Sequence, residues 1–114
     1  FNSYPVDRVC QAVCAAAVSD AAYYAKMNAL VVSERARVSE ELQKRGFSVL
    51  PSSSNFVFAR HGRLAGREVY EGLRARGVLV RWFNKPRIEN FVRITIGSAE
   101  ENTALLAALS EMLR

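Results

Sequence analysis

Apolar residues recur at spacings of three and four over the first forty-odd positions, then at two, and the changes of period divide the chain into elements. Val6, Val9, Val13, Ala16 and Ala17 share one helical face over Pro5 to Val18. Pro5 suits a first helical position and Asp7 complements the N-terminal dipole. Ser19 is a candidate N-cap for a second helix reaching Arg45. Tyr24, Met27, Val31, Val38 and Leu42 mark its buried stripe, while Glu34, Arg37, Glu40, Glu41 and Lys44 lie largely off it. Gly46 stands where a left-handed cap ends such a helix. A helix of roughly 26 residues is nearly 40 Å long, more than a domain of this size covers. One end is therefore expected to pack on something outside the chain.

Beyond Gly46 the pattern predicts a strand at Phe47–Leu50, a turn at Pro51–Ser54 and a second strand at Asn55–Ala59. After a loop over Gly62 to Gly66, a helix runs from Gly66 to Arg76 with Val69 and Leu73 inward, closed by Gly77. Val78–Arg81 is a third strand, Trp82 to Asn90 a polar loop broken by Pro86, and Phe91–Ile96 a fourth strand. Ser98-Ala99-Glu100-Glu101 forms a capping box. It opens a last helix with Leu105, Leu106, Leu109, Met112 and Leu113 inward. The order α-α-β-β-α-β-β-α, with no internal repeat, predicts an α+β fold: a two-layer sandwich with a small, mainly antiparallel sheet of about four strands and helices on one face.

The chain has 114 residues, half of them hydrophobic and 24% charged, the balance of a single globular domain rather than a disordered, collagenous or coiled-coil chain. No apolar run approaches the ~20 residues that span a bilayer. The N-terminus FNSYPVDR is neither basic nor followed by a clean apolar core, so no signal peptide is expected. Without an initiator Met, the chain reads as a piece of a longer one. The net charge is +5, compatible with a nucleic-acid partner. The arginines are scattered and fall mostly on polar helix faces, however, which reads as a solvated surface. Cys10 and Cys14 share a helix face with nearly parallel Cβ vectors, poor geometry for a disulfide. With His61 far away they make no zinc site. They read as small core hydrophobes in a reducing compartment.

No nucleophile–base–orienter set is visible, and no phosphate-cradling glycine loop. The conspicuous residues are arginines in strands. Alternation sets Val92, Ile94 and Ile96 on one face and Arg93 and Thr95 on the other. An arginine in so apolar a strand either lies on a solvent face or reads an anion. Arg81 ends another strand just before Trp82-Phe83-Asn84. Two guanidiniums at a common sheet edge make a fork for carboxylate or phosphate.

The strings GVLVR (Gly77 to Arg81) and FVRITIGSAEEN (Phe91 to Asn102) resemble the C-terminal small domain of fold type I pyridoxal-phosphate-dependent aminotransferases, most closely the histidinol-phosphate aminotransferase branch. GFSVLPSSSNFVFAR (Gly46 to Arg60) is similar to the same family's "GF-V-PS-x-x-NF" stretch, and the opening FNSYP to its interdomain segment, with Ser3-Tyr4-Pro5 departing from the commonest form. The resemblance runs in order over essentially all of the chain. It implies transamination with pyridoxal 5'-phosphate as electron sink, in histidine biosynthesis if the branch holds. It implies small-molecule substrates, a cytoplasmic homodimer, and no nucleic-acid or membrane partner. It places Arg93 on the anionic end of the substrate, Arg81 on the phosphate-bearing substrate, and Asn55 near the site. The Schiff-base lysine, the pyridine-nitrogen aspartate and the phosphate-binding residues are expected upstream. Lys26, Lys44 and Lys85 do not match the lysine motif, so this chain carries no catalytic residue and alone is expected not to turn over.

Three alternatives stand beside this reading. One is a related aminotransferase acting on aromatic or other amino acids, and another a threonine-phosphate decarboxylase, which shares the pattern. The third, from a different class, is a free-standing α+β module that binds anions or RNA through basic residues on its sheet. RNA-binding sheets present aromatics on their open face, as Phe56 and Phe58 would. The Gly-aromatic motif of such sheets is absent, and phenylalanines in this setting are expected in the core.

Overall fold

The computed structural model describes residues 5–114; the opening Phe1 to Tyr4, with most of the FNSYP segment, lies outside the described residues. The chain divides into two compact units, residues 1–30 and 31–114. In the first, helix α1 (Arg8–Ser19) begins later than the sequence pattern suggests, because Asp7 is its N-cap and accepts from the Cys10 backbone N–H at 2.8 Å through Oδ1. Ser19 does not open the next helix. It ends α1 with its hydroxyl on the Ala15 carbonyl, and Asp20 receives the Tyr23 N–H. No residue of α1 is buried. Val6, Val9 and Val13 are exposed rather than inward, and so are Cys10 and Cys14, both free thiols and not the core residues expected. The first unit by itself holds no second layer to cover this face of α1.

Helix α2 (Ala21–Lys44) buries Glu34, Val38 and Leu42, all in its second half. Tyr24, expected on the buried stripe, is exposed, while Met27 and Val31 are half-buried. In the second unit a four-stranded antiparallel sheet follows, built from β1 (Phe47–Val49), β2 (Phe56–His61), β3 (Arg81–Trp82) and β4 (Val92–Thr95) in the order β1-β2-β4-β3. Helices α3 (Gly66–Arg74) and α4 (Ala99–Met112) complete it. Leu42, Val57, Ala59, Leu73, Val92, Ile94 and Leu109 belong to one buried cluster, so residues 31–44 of α2 with α3 and α4 cover one sheet face. This is the expected α+β sandwich, with the element order unchanged.

The third strand departs from expectation. Val78 to Val80 do not join the sheet, because the Val78 N–H donates to the Leu73 carbonyl and closes α3. Gly77 sits at φ 77° in the turn that permits this. Pairing starts only at Arg81, and Leu79 is 79% exposed.

A buried polar knot joins β4 to the helices. Asn102, 2% exposed, donates to Glu34 Oε2 at 2.7 Å and to the Gly97 carbonyl at 3.0 Å, and it accepts from the Gly97 N–H. Arg37 grips the same Glu34 carboxylate with Nε and Nη2, the shortest contact being 2.7 Å. The bonds from Arg37 and then Asn102 hold the Glu34 carboxyl below the usual range. Buried polar groups of this kind are costly unless fully paired, so the knot fixes the β4–α4 turn against α2. The expected capping box closes the same turn. Ser98 Oγ accepts from the Glu101 N–H, and the Ser98 N–H donates to Glu101 Oε2.

Ser98→Ala removes one half of this box and should lower unfolding free energy by about 1 kcal/mol, read as a shifted urea midpoint. A midpoint equal to the wild type would deny the cap its part in holding the end of β4.

Candidate functional site: the open face of the sheet

The face of the sheet opposite the core follows from register. Val57, Ala59, Val92 and Ile94 point into the core, so Phe56, Phe58 and Arg60 of β2, and Arg93 and Thr95 of β4, point the other way. Phe58 stands opposite Arg93, and Arg93 stands opposite Arg81 on its other side. The sheet thus brings the two arginines singled out in the sequence into direct cross-strand register. Asn55 is not brought to them. It lies just before β2, one residue from Phe56, where strand alternation sets it on the other side. Its carbonyl accepts from Ile96, and its Oδ1 accepts from the Ser54 hydroxyl.

The loop after β3 is folded back by the last residue of the strand. Trp82 faces the helices, stacks on Tyr70 of α3 at 6.2 Å and donates its indole N–H to the Glu89 carbonyl at 2.7 Å. That bond gathers residues 83–91 so that a phenylalanine at each end lies over the open face. Phe83 sits beneath both guanidiniums, 5.7 Å from Arg81 Cζ and 5.9 Å from Arg93 Cζ. Phe56 supports Arg93 from the other strand at 5.4 Å. Phe91 stacks on Phe58, with centroids 4.9 Å apart and planes 8° from parallel, and it carries Arg60 at 5.6 Å. Contrary to expectation Phe56 and Phe58 are not core; they form the floor of this face. Alternation along β2 was the available signal for them, whereas Phe83 and Phe91 needed the loop's path.

Among the described residues Arg81 and Arg93 form no ion pair, while Arg37, Arg45, Arg67 and Arg76 each have a carboxylate within reach. Like charges directly opposite on a sheet repel. Aromatic faces relieve this in part, since a guanidinium over a ring is worth about 0.5–1 kcal/mol at an exposed site. The arrangement leaves both guanidiniums without a carboxylate partner among the described residues. Chemically it fits a phosphate or carboxylate bound by two guanidiniums.

The model of the family described as "Aminotransferase class I and II" matches residues 1–109. The chain belongs to that family. Among curated relatives of the family, Histidinol-phosphate aminotransferase 2 of Rhizobium meliloti (strain 1021) is 50% identical over 99% of this chain, and Histidinol-phosphate aminotransferase 1 of Pseudomonas aeruginosa is 51% identical over 96%. The chain spans about a third of the length of these relatives, 32% and 31%. A crystal structure of histidinol-phosphate aminotransferase from Sinorhizobium meliloti in complex with pyridoxal-5'-phosphate superposes with a TM-score of 0.89, at 26% identity, covering all of this chain and 32% of that one. As an aminotransferase domain, the chain contributes a sheet whose open side carries cations and aromatics.

Arg81→Gln removes one of two facing like charges. It also gives up the Phe83 contact, of similar size and opposite sign, so the repulsion is read from its salt dependence: without multivalent anions, the variant's stability relative to wild type should be higher at low than at high ionic strength by about 0.5 kcal/mol. Urea unfolding at two ionic strengths checks this, and a difference from wild type that does not change with salt would show that no repulsion is stored there.

Proposed function

We propose that this chain is the substrate-clamping domain of a pyridoxal-phosphate-dependent histidinol-phosphate transaminase. The amino group of histidinol phosphate passes to 2-oxoglutarate, giving imidazole acetol phosphate and glutamate. Two relatives of that name at about half identity support the substrate. The observation that carries the reading on this chain is the Arg81–Arg93 register, with both forks unpaired over Phe56 and Phe83. Both partners of the reaction are anionic, the donor through its phosphate and the acceptor through its carboxylates. One guanidinium pair therefore serves each half-reaction in turn.

The described residues of this chain do not fit the cofactor itself. Lys44 is tied to Glu41 at 2.7 Å, and Lys26 and Lys85 are exposed to solvent. In this reading the cofactor is held by the rest of the protein, where it supplies the electron sink for proton removal. What this chain's residues do is bind and orient. Arg93 and Arg81 take the substrate's anionic end, and the phenylalanine floor keeps water from one side of the forks and so strengthens the pairing. A fixed anionic end sets the position of the amino-bearing carbon at the other end of the molecule. Asn55, set on the other side of the strand with its Oδ1 on the Ser54 hydroxyl, is given no role in this grip. A homodimer of the whole enzyme belongs to it as well.

Arg93→Lys keeps the charge and loses the planar fork. In the full-length enzyme it should lower kcat/KM by about 2–4 kcal/mol, roughly 30- to 1,000-fold. The urea midpoint should hardly change, since the side chain points away from the core. Steady-state kinetics with histidinol phosphate decide, and wild-type efficiency in the Lys variant would remove Arg93 from the site.

A further inference from the structure

A second group of unpaired donors lies on the same sheet face, beyond the stacked Phe58–Phe91 pair. Ser48 of β1 stands directly opposite Arg60 of β2, and the two line a hollow of about 450 Å³ together with His61, Arg63 and Asn90. Among the described residues the side chains of Ser48, Arg60, Arg63 and Asn90 make no hydrogen bond or ion pair; Arg60 has only the Phe91 ring. Two features hold these donors in place. The Phe91 ring, clamped on Phe58, supports the Arg60 guanidinium from beneath. His61 Nδ1 accepts from the backbone N–H groups of Arg63 and Leu64, at 3.2 and 3.1 Å, while its Nε2 meets the Arg45 carbonyl at 3.2 Å. The imidazole thus fixes the turn that presents Arg63 and has no nitrogen left for a ligand. Glu68, in the first turn of α3, is engaged in capping, with its carboxylate on the Ala65 N–H at 2.7 Å.

We infer that this hollow is an anion site for a phosphate group, either the free ion or a phosphate monoester. Two arginines, a serine and an asparagine line the hollow, and together they offer more donors than the two oxygens of a planar carboxylate can accept. A tetrahedral phosphate accepts on three or four oxygens. The volume lies within the range of small-ligand sites and leaves room for an organic group on the phosphate. The inference uses neither Arg81 nor Arg93 and does not depend on the transaminase reading.

The test is calorimetric titration of the full-length holoenzyme carrying Arg93→Ala, which silences the cross-strand pair. Inorganic phosphate should still bind saturably, and adding Arg60→Ala or Arg63→Ala should weaken it roughly tenfold or more, the effect of losing one charge-assisted contact. Arg67→Ala, which removes a nearby arginine already paired with Glu71, should leave binding unchanged. Both tested side chains lie at the surface, so the variants should fold as the parent does. A second titration with glycerol phosphate separates the sources: tighter binding than inorganic phosphate assigns a monoester, equal or weaker binding the free ion. Absence of saturable phosphate binding in Arg93→Ala, unchanged affinity in the Arg60 and Arg63 variants, or acetate binding as tightly as phosphate would each overturn the assignment.

Discussion

The register of β4 is the constraint on which the rest of the domain depends. It is a central strand, paired with β2 on one side and β3 on the other. Val92 and Ile94 are buried under the helices, so period-two geometry leaves Arg93 no direction but the open face. A slip of one residue would drive a guanidinium into the core and two branched aliphatics into water, and the register is correspondingly firm. Once Arg93 is fixed, antiparallel pairing sets Phe58 on one flank and Arg81 on the other. The juxtaposition of two cations is thus a consequence of how the hydrophobic core is satisfied.

Two devices keep that strand and its surroundings in place. On the core side the Asn102–Glu34 bond ties the turn after β4 to α2, and Arg37 neutralises the carboxylate that makes the bond strong. On the other edge Trp82 uses one face against Tyr70 and its indole N–H on the Glu89 carbonyl, so the loop returns with Phe83 and Phe91 over the sheet. The aromatic floor that carries the guanidiniums is therefore built by a residue that points away from it. Cations resting on rings keep their outward N–H groups free, as an anion grip requires.

The sequence carried the fold where burial and local chemistry agree. The inward residues of α3 and α4, the capping box at Ser98, the closure at Gly46 and Gly77 and the side taken by Arg93 all follow from periodicity or turn chemistry. It misled where an apolar pattern has no described partner. Val9, Val13, Cys10 and Cys14 look like a core face, yet no residue of α1 is buried. Val78 to Val80 have strand composition, but the closure of α3 takes the Val78 N–H first. The Arg81–Arg93 pair was half legible. Each arginine stood out in its strand, while their direct opposition and the rings beneath them depend on long-range pairing and on the path of the 83–91 loop. Arg60 left no mark in the sequence, because its setting comes from β1 and from Phe91, thirty-one positions away.

The central claim is that the open face recognises an anion through a guanidinium pair set by strand register. The most direct test compares kcat/KM for histidinol phosphate with that for histidinol in the full-length enzyme and in its Arg81→Ala form. A phosphate gripped by two guanidiniums should give a large wild-type preference for the phosphorylated donor, and losing one should cut that ratio by roughly tenfold to a hundredfold with little change for histidinol. An unchanged ratio, or an equal loss for both donors, would contradict the account.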